Sequence, residues 1–113
     1  MVEKVLNVVL SIDAADFLRS QPFNVQQKIT YNIRKLESGF IGKELFKKLT
    51  GSNIWELRTM YNGNCYRLFA FWDTDANTVI VATHGIVKKT NKTPLKEIDK
   101  AERIRTEYFN DKL

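Results

Sequence analysis

The sequence has one cysteine, one histidine, two prolines and five glycines in 113 residues. Cys65 alone permits no internal disulfide, which fits a reducing compartment, and a cytoplasmic protein is expected. With His84 as the single imidazole, the chain has too few soft ligands for a zinc site, and no metal or other cofactor is expected. The longest apolar stretch, Val5 to Ile12, is far too short to span a bilayer and is broken by Asn7 and Ser11. It also lacks the basic start and apolar centre of a signal peptide, so no membrane partner is expected. Repeats, low-complexity tracts and linkers are absent. So are a carboxylate pair, a Ser–His–Asp set and a glycine-rich phosphate loop.

What remains is the composition of one packed domain, expected to cover 1–113, with a hydrophobic fraction of 43%. Seven Phe, four Tyr and two Trp can fill much of its core. The net charge is +5, and its placement matters. Residues 43–96 hold nine cations against four acids, while the segments before and after nearly cancel. A localised basic surface suits a polyanion or an acidic partner, or else a solvated lysine-rich face.

Periodicity predicts an α+β order. A first strand covers roughly 3–12, and Asp13 caps a short helix over Ala14–Arg19. Asn24 caps a second helix with the stripe Val25, Ile29, Ile33 and Leu36, and Gly39 stands at its C′ position. The two form a helical hairpin joined at Ser20–Phe23. Lys43–Lys48 reads as one more helical turn. Strands at Asn53–Tyr61 and Asn64–Asp73 flank Asn62-Gly63, a strong hairpin signal. A turn at Asp73–Asn77 leads to a strand over Thr78–His84. Thr93 as N-cap and Pro94 at the first position open a last helix. Its apolar face is Leu95, Ile98, Ala101, Ile104 and Tyr108.

Counting back from the two-residue turn sets Arg58 opposite Arg67. Opposed like charges destabilise a sheet, and an anion held between two forked guanidinium groups would remove the repulsion. The alternative is pairing with Glu56 or another acid. Replacing Arg67 by Ala is then expected to leave the fold intact. Phe69 and Phe71 share that face and either floor a cleft or pack under the last helix. His84, next to Gly85 and near Lys88-Lys89, completes a His–Lys–Arg set. Such a set has the parts for phosphodiester cleavage: groups that move protons and cations that stabilise a crowded phosphorane.

Lys48-Leu-Thr-Gly51, Trp55-Glu-Leu-Arg58, Tyr66-Arg67-Leu-Phe69, His84-Gly-Ile-Val-Lys88-Lys89 and Thr93-Pro94, in this order and spacing, resemble the HigB-like toxins of phage and bacterial toxin–antitoxin modules, within the RelE/ParE superfamily. The resemblance runs from about Phe17 to Tyr108. It implies an N-terminal strand, a helical hairpin, an antiparallel sheet with the Asn-Gly hairpin, and a C-terminal helix. It implies a metal-independent endoribonuclease that cuts mRNA in the ribosome by 2′-hydroxyl attack. Carried over, Lys48, Arg58, Arg67 and His84 match catalytic or phosphate-holding positions; whether His84 or Lys48 gives or takes the proton stays open. Lys43, Lys47, Lys88, Lys89 and Lys92 are the expected RNA-binding lysines. The implied partners are the ribosome, mRNA and a cognate antitoxin, a helix-turn-helix protein from an adjacent gene. A C-terminal tyrosine serves some relatives in the active site, but Tyr108 lies on an apolar stripe and is expected to pack. The superfamily also contains non-enzymatic gyrase inhibitors of the ParE type and complexes that act on operator DNA.

Overall fold

The computed structural model describes residues 4–89 and 92–113. Among these residues five strands form one sheet in the order β1-β5-β4-β3-β2. The strands are β1 (Asn7–Leu10), β2 (Phe46–Lys48), β3 (Trp55–Tyr61), β4 (Asn64–Trp72) and β5 (Val79–Lys88). The helices are α1 (Ile12–Arg19), α2 (Phe23–Glu37) and α3 (Leu95–Asp111). β1 runs parallel to β5, and the other neighbours are antiparallel. The chain thus crosses from one edge of the sheet to the other through the helical hairpin.

The turn chemistry of Asn62-Gly63 is realised fully. Both residues have positive φ, 48° and 79°, as a two-residue turn matched to strand twist requires. The register follows: Tyr61 faces Asn64, Thr59 faces Tyr66, and Arg58 faces Arg67.

Several local expectations shift. β1 is shorter than 3–12, and Glu3 lies outside the described residues. Ser11, not Asp13, caps α1; its hydroxyl accepts from Ala14 N–H at 3.1 Å, and Asp13 sits in the first turn. Pro22 occupies the N-cap of α2, so Asn24 falls inside the helix. Gly39, with φ 99°, takes the C′ position as expected. Residues 46–48 form an edge strand and not a helical turn. Phe46 stacks on Trp55 at 4.9 Å and meets Trp72 edge-on, while β3 supplies the backbone partners. Burial and ladder bonding together outweigh local helix propensity there. β5 runs past His84 to Lys88, with a register shift opposite Phe69/Ala70.

One sheet face carries Leu57, Leu68, Ala70 and Ile80 against Ala14, Val25, Ile29 and Leu36. The other carries Phe69, Phe71 and Val81 against Ala101, Ile98 and Tyr108 of α3. Phe69 and Phe71 are therefore core residues under α3, which removes the cleft-floor alternative. Tyr108 packs edge-on against Phe71, and its hydroxyl donates to Asp73 Oδ2 at 2.6 Å. Lys112 reaches the same oxygen. These two donors, Lys112 first, hold the Asp73 carboxyl well below the usual carboxylate range and pin the C-terminal end of α3 to the β4–β5 turn.

Candidate functional site

Alternation along β3 and β4 puts Glu56, Arg58, Arg67 and Phe69 on the α3 face. Glu56 is 3% exposed and Arg67 is fully buried. One carboxylate oxygen of Glu56 lies 3.4 Å from Arg58 Nε, and the other lies 3.5 Å from Arg67 Nη1. The opposed arginines are thus reconciled by an acid from within the sheet.

Thr93 closes this cluster. Its hydroxyl donates to Glu56 Oε2 at 2.8 Å and accepts from Arg67 Nη1 at 2.9 Å. The same residue cannot also cap α3, and the N-cap is Pro94, with no side-chain cap bond. Arg67 is therefore an interior anchor with no exposed surface to offer an anion. Its removal would strip Glu56 and Thr93 of a buried partner, so the expectation that Arg67→Ala leaves the fold untouched does not survive. Arg58 is the more accessible guanidinium, with 23% of its side chain exposed.

His84 faces Phe69 across β4 and β5 on this same face, with ring centroids 4.9 Å apart. It is 4% exposed. Nε2 lies 3.1 Å from Glu97 Oε1 in the first turn of α3, and Nδ1 lies 2.9 Å from the Thr83 hydroxyl. A carboxylate can only accept, so Nε2 carries a proton; the single Thr83 hydroxyl proton is shared between Nδ1 and the Phe69 carbonyl oxygen, 3.3 Å away. Burial pushes the imidazole below its ordinary value of 6.5, and the Glu97 hydrogen bond opposes this. The neighbouring Gly85 points to the opposite face, where a Cβ would sit 2.3 Å from the Phe17 ring. The close approach it permits is made by the protein's own aromatic side chain.

The lysines divide between faces. Lys47 pairs with Glu56 and shares the arginine face, whereas Lys48 pairs with Trp55 and lies on the opposite one. Both are exposed. Lys88 pairs with Cys65 on the arginine face. Lys88 and Lys92 line a groove with Thr93, Pro94, Leu95 and Ile98, about 620 Å³ in volume. Lys43 and Lys89 are exposed, Lys43 in the turn before β2. Sequence reasoning missed Thr93 and Glu97 as members of the cluster. Glu56 was visible only as an alternative counter-ion.

The sheet order, the helical hairpin and the covering C-terminal helix define a RelE-type fold. A double arginine-to-alanine mutant of the E. coli toxin RelE in the free state is similar over 91% of this chain and 98% of its own, with TM-score 0.62 and 13% identity. RelE in the RelE–RelB complex from Pyrococcus horikoshii OT3 is similar over 78% of this chain and 99% of its own, with TM-score 0.54 and 15% identity. No curated protein sequence matches. The phage-derived Gp49-like protein family (DUF891) matches residues 16–106, and the chain belongs to that family.

Proposed function

We propose that this protein is the toxin of a toxin–antitoxin pair and cuts mRNA on the ribosome without a metal ion. The carrying observation is the single sheet face that gathers Arg58, Arg67, Lys47, His84 and Lys88. In this reading the 2′-hydroxyl of the RNA gives its proton to a base as its oxygen attacks the adjacent phosphorus, the bond to the 5′-oxygen breaks to leave a 2′,3′-cyclic phosphate, and the 5′-oxygen leaves with the proton returned. Arg58 contacts the phosphate, and Arg67 stiffens it through the shared Glu56 carboxylate. Lys47, Lys88 and Lys92 follow the backbone on either side. His84 moves a proton once Glu97 releases it. Lys48, on the far face, contributes charge and no contact to the reacting atoms. The fold shared with RelE, and the complex in which that protein is seen with RelB, support an antitoxin partner from an adjacent gene. A cytoplasmic site of action goes with this reading.

The burial of Arg67 and His84 favours a second reading, a non-enzymatic inhibitor of the gyrase-binding type. One experiment separates them. The protein and Arg58→Ala are induced in cells, and mRNA 5′ ends and plasmid supercoiling are measured together. The nuclease reading expects new 5′ ends that fall by about 10²–10³ in the variant, the loss of one transition-state donor. Altered supercoiling with unchanged 5′ ends would replace it with the inhibitor.

A further inference from the structure

The outward side of α2 carries an aromatic stripe with charge of one sign. Between Ser20 and Leu36 there are three cations, Lys28, Arg34 and Lys35, and no acid. The next acid, Glu37, is turned inward: it pairs with Lys4 at 3.3 Å and accepts from Val8 N–H. The core side of α2 is spoken for by Val25, Ile29 and Leu36. On the other side Phe23 is 70% exposed and Tyr31 is 61% exposed. Single exposed apolar residues are ordinary. Here two rings two helical turns apart frame a groove of about 400 Å³ with Gln27 and Arg34. A second groove of about 420 Å³, lined by Tyr31, Gln27, Lys28 and Tyr61, adjoins it across the Tyr31 ring. Aromatic anchors beside arginine are the composition of interface centres.

We infer that this face of α2 is the docking surface for an acidic, amphipathic segment of a protein partner. Apolar side chains of that segment would fill the two grooves around Tyr31, and its carboxylates would meet Lys28, Arg34 and Lys35. RNA fits less well for two reasons. The Lys28 ammonium already sits over the Tyr31 ring, 5.7 Å from its centroid, and occupies a face a base would stack on. The sheet also separates this surface from the arginine face, so a strand held there runs away from α2.

The inference rests on the reading that a partner protein exists, and it names where that partner binds. The test uses the full chain with the purified product of the adjacent gene, followed by hydrogen exchange and by titration. Protection of residues 23–35 is expected. Tyr31→Asp should weaken the complex by about 30-fold or more, the loss typical of an anchor residue. Arg34→Glu should slow association, more so at low salt. Both residues are exposed, so thermal melts should be unchanged. Lys47→Ala, on the far face, should leave the complex intact. Protection confined to 44–60 or 88–98, no effect of Tyr31→Asp, or no complex at all would overturn the assignment. So would protection of α2 by a 2′-deoxy oligonucleotide, which would make it a nucleic-acid surface. Cleavage of mRNA on ribosomes by the chain without its partner is measured separately, so failure here and failure of the nuclease reading are told apart.

Discussion

On the helical-hairpin side of the sheet, Leu57, Leu68, Ala70 and Ile80 meet Val25, Ile29 and Leu36; the buried polar contact there is neutral, Asn32 Nδ2 to Thr59 Oγ1 at 2.9 Å. On the α3 side, Glu56, Arg67 and His84 are buried as deeply as Phe69 and Phe71 beside them. The first side is held by apolar transfer, which is strong and non-directional. The second spends desolvation energy on charged groups and recovers it only if their geometry is kept. Stability alone does not require such a layer, since apolar residues of similar volume often do as well. The difference sets the α3 side apart as the one whose polar geometry has to be kept, as the proposed chemistry on that face requires.

The largest test of this contrast is Glu56→Ala. It leaves Arg58 and Arg67 opposed without the carboxylate they share, and removing one member of a buried pair costs about 3–5 kcal/mol. Urea melts should show that loss; a variant as stable as the parent would mean the arginines do not rely on Glu56. On the other side, Gly85→Ala drives a methyl into the Phe17 ring. Overpacking should cost about 1–3 kcal/mol. A smaller residue at Phe17 should recover part of it in the double variant, and strict additivity would show that the two positions do not touch.

Lys47 and Lys48 offer a comparison between adjacent residues on opposite faces. If RNA lies on the arginine face, Lys47→Ala should lower the salt slope of single-strand binding by about 0.7, one phosphate contact, and Lys48→Ala should not. Equal effects would mean that the basic charge acts diffusely and the register is irrelevant to binding.

Legibility from sequence follows the range of the interaction. The hairpin was readable because Asn-Gly fixes a local backbone and arithmetic does the rest, so Arg58 and Arg67 could be paired residue by residue. β2 was not, because three residues carry no period and only contact with Trp55 and Trp72 makes Phe46 a strand anchor. Lys48 stands ahead of Lys47 through the resemblance alone; without the strand, the residues themselves leave the face of either lysine undefined. Thr93 has every local mark of a cap, yet its hydroxyl is taken by Glu56, 37 residues away. That α3 would close over His84 depends on where a helix docks, which no local pattern records.

The smallest expected effect is the pH dependence contributed by His84. Its imidazole is held neutral by burial beneath α3, below the ordinary value of 6.5, while in the unfolded chain it titrates freely. Above pH 6.5 both states are neutral there and the group contributes nothing to the slope. As pH falls below 6.5 the unfolded chain takes up a proton that the folded chain refuses, so stability drops until the folded group titrates as well. Thermal melts between pH 7.5 and 5 should therefore fall more steeply for the parent than for His84→Gln, which keeps a neutral polar side chain beside Thr83 and Glu97. Asp73, held far below this window by Lys112 and Tyr108, stays ionised throughout and does not confuse the comparison. If the two proteins show the same slope, His84 takes up its proton at the same pH folded and unfolded, and the Glu97 hydrogen bond offsets burial in full. If the parent gains stability on acidification relative to the variant, the sign is reversed: His84 is protonated in the folded state, and its link to Glu97 is an ion pair and not a neutral hydrogen bond.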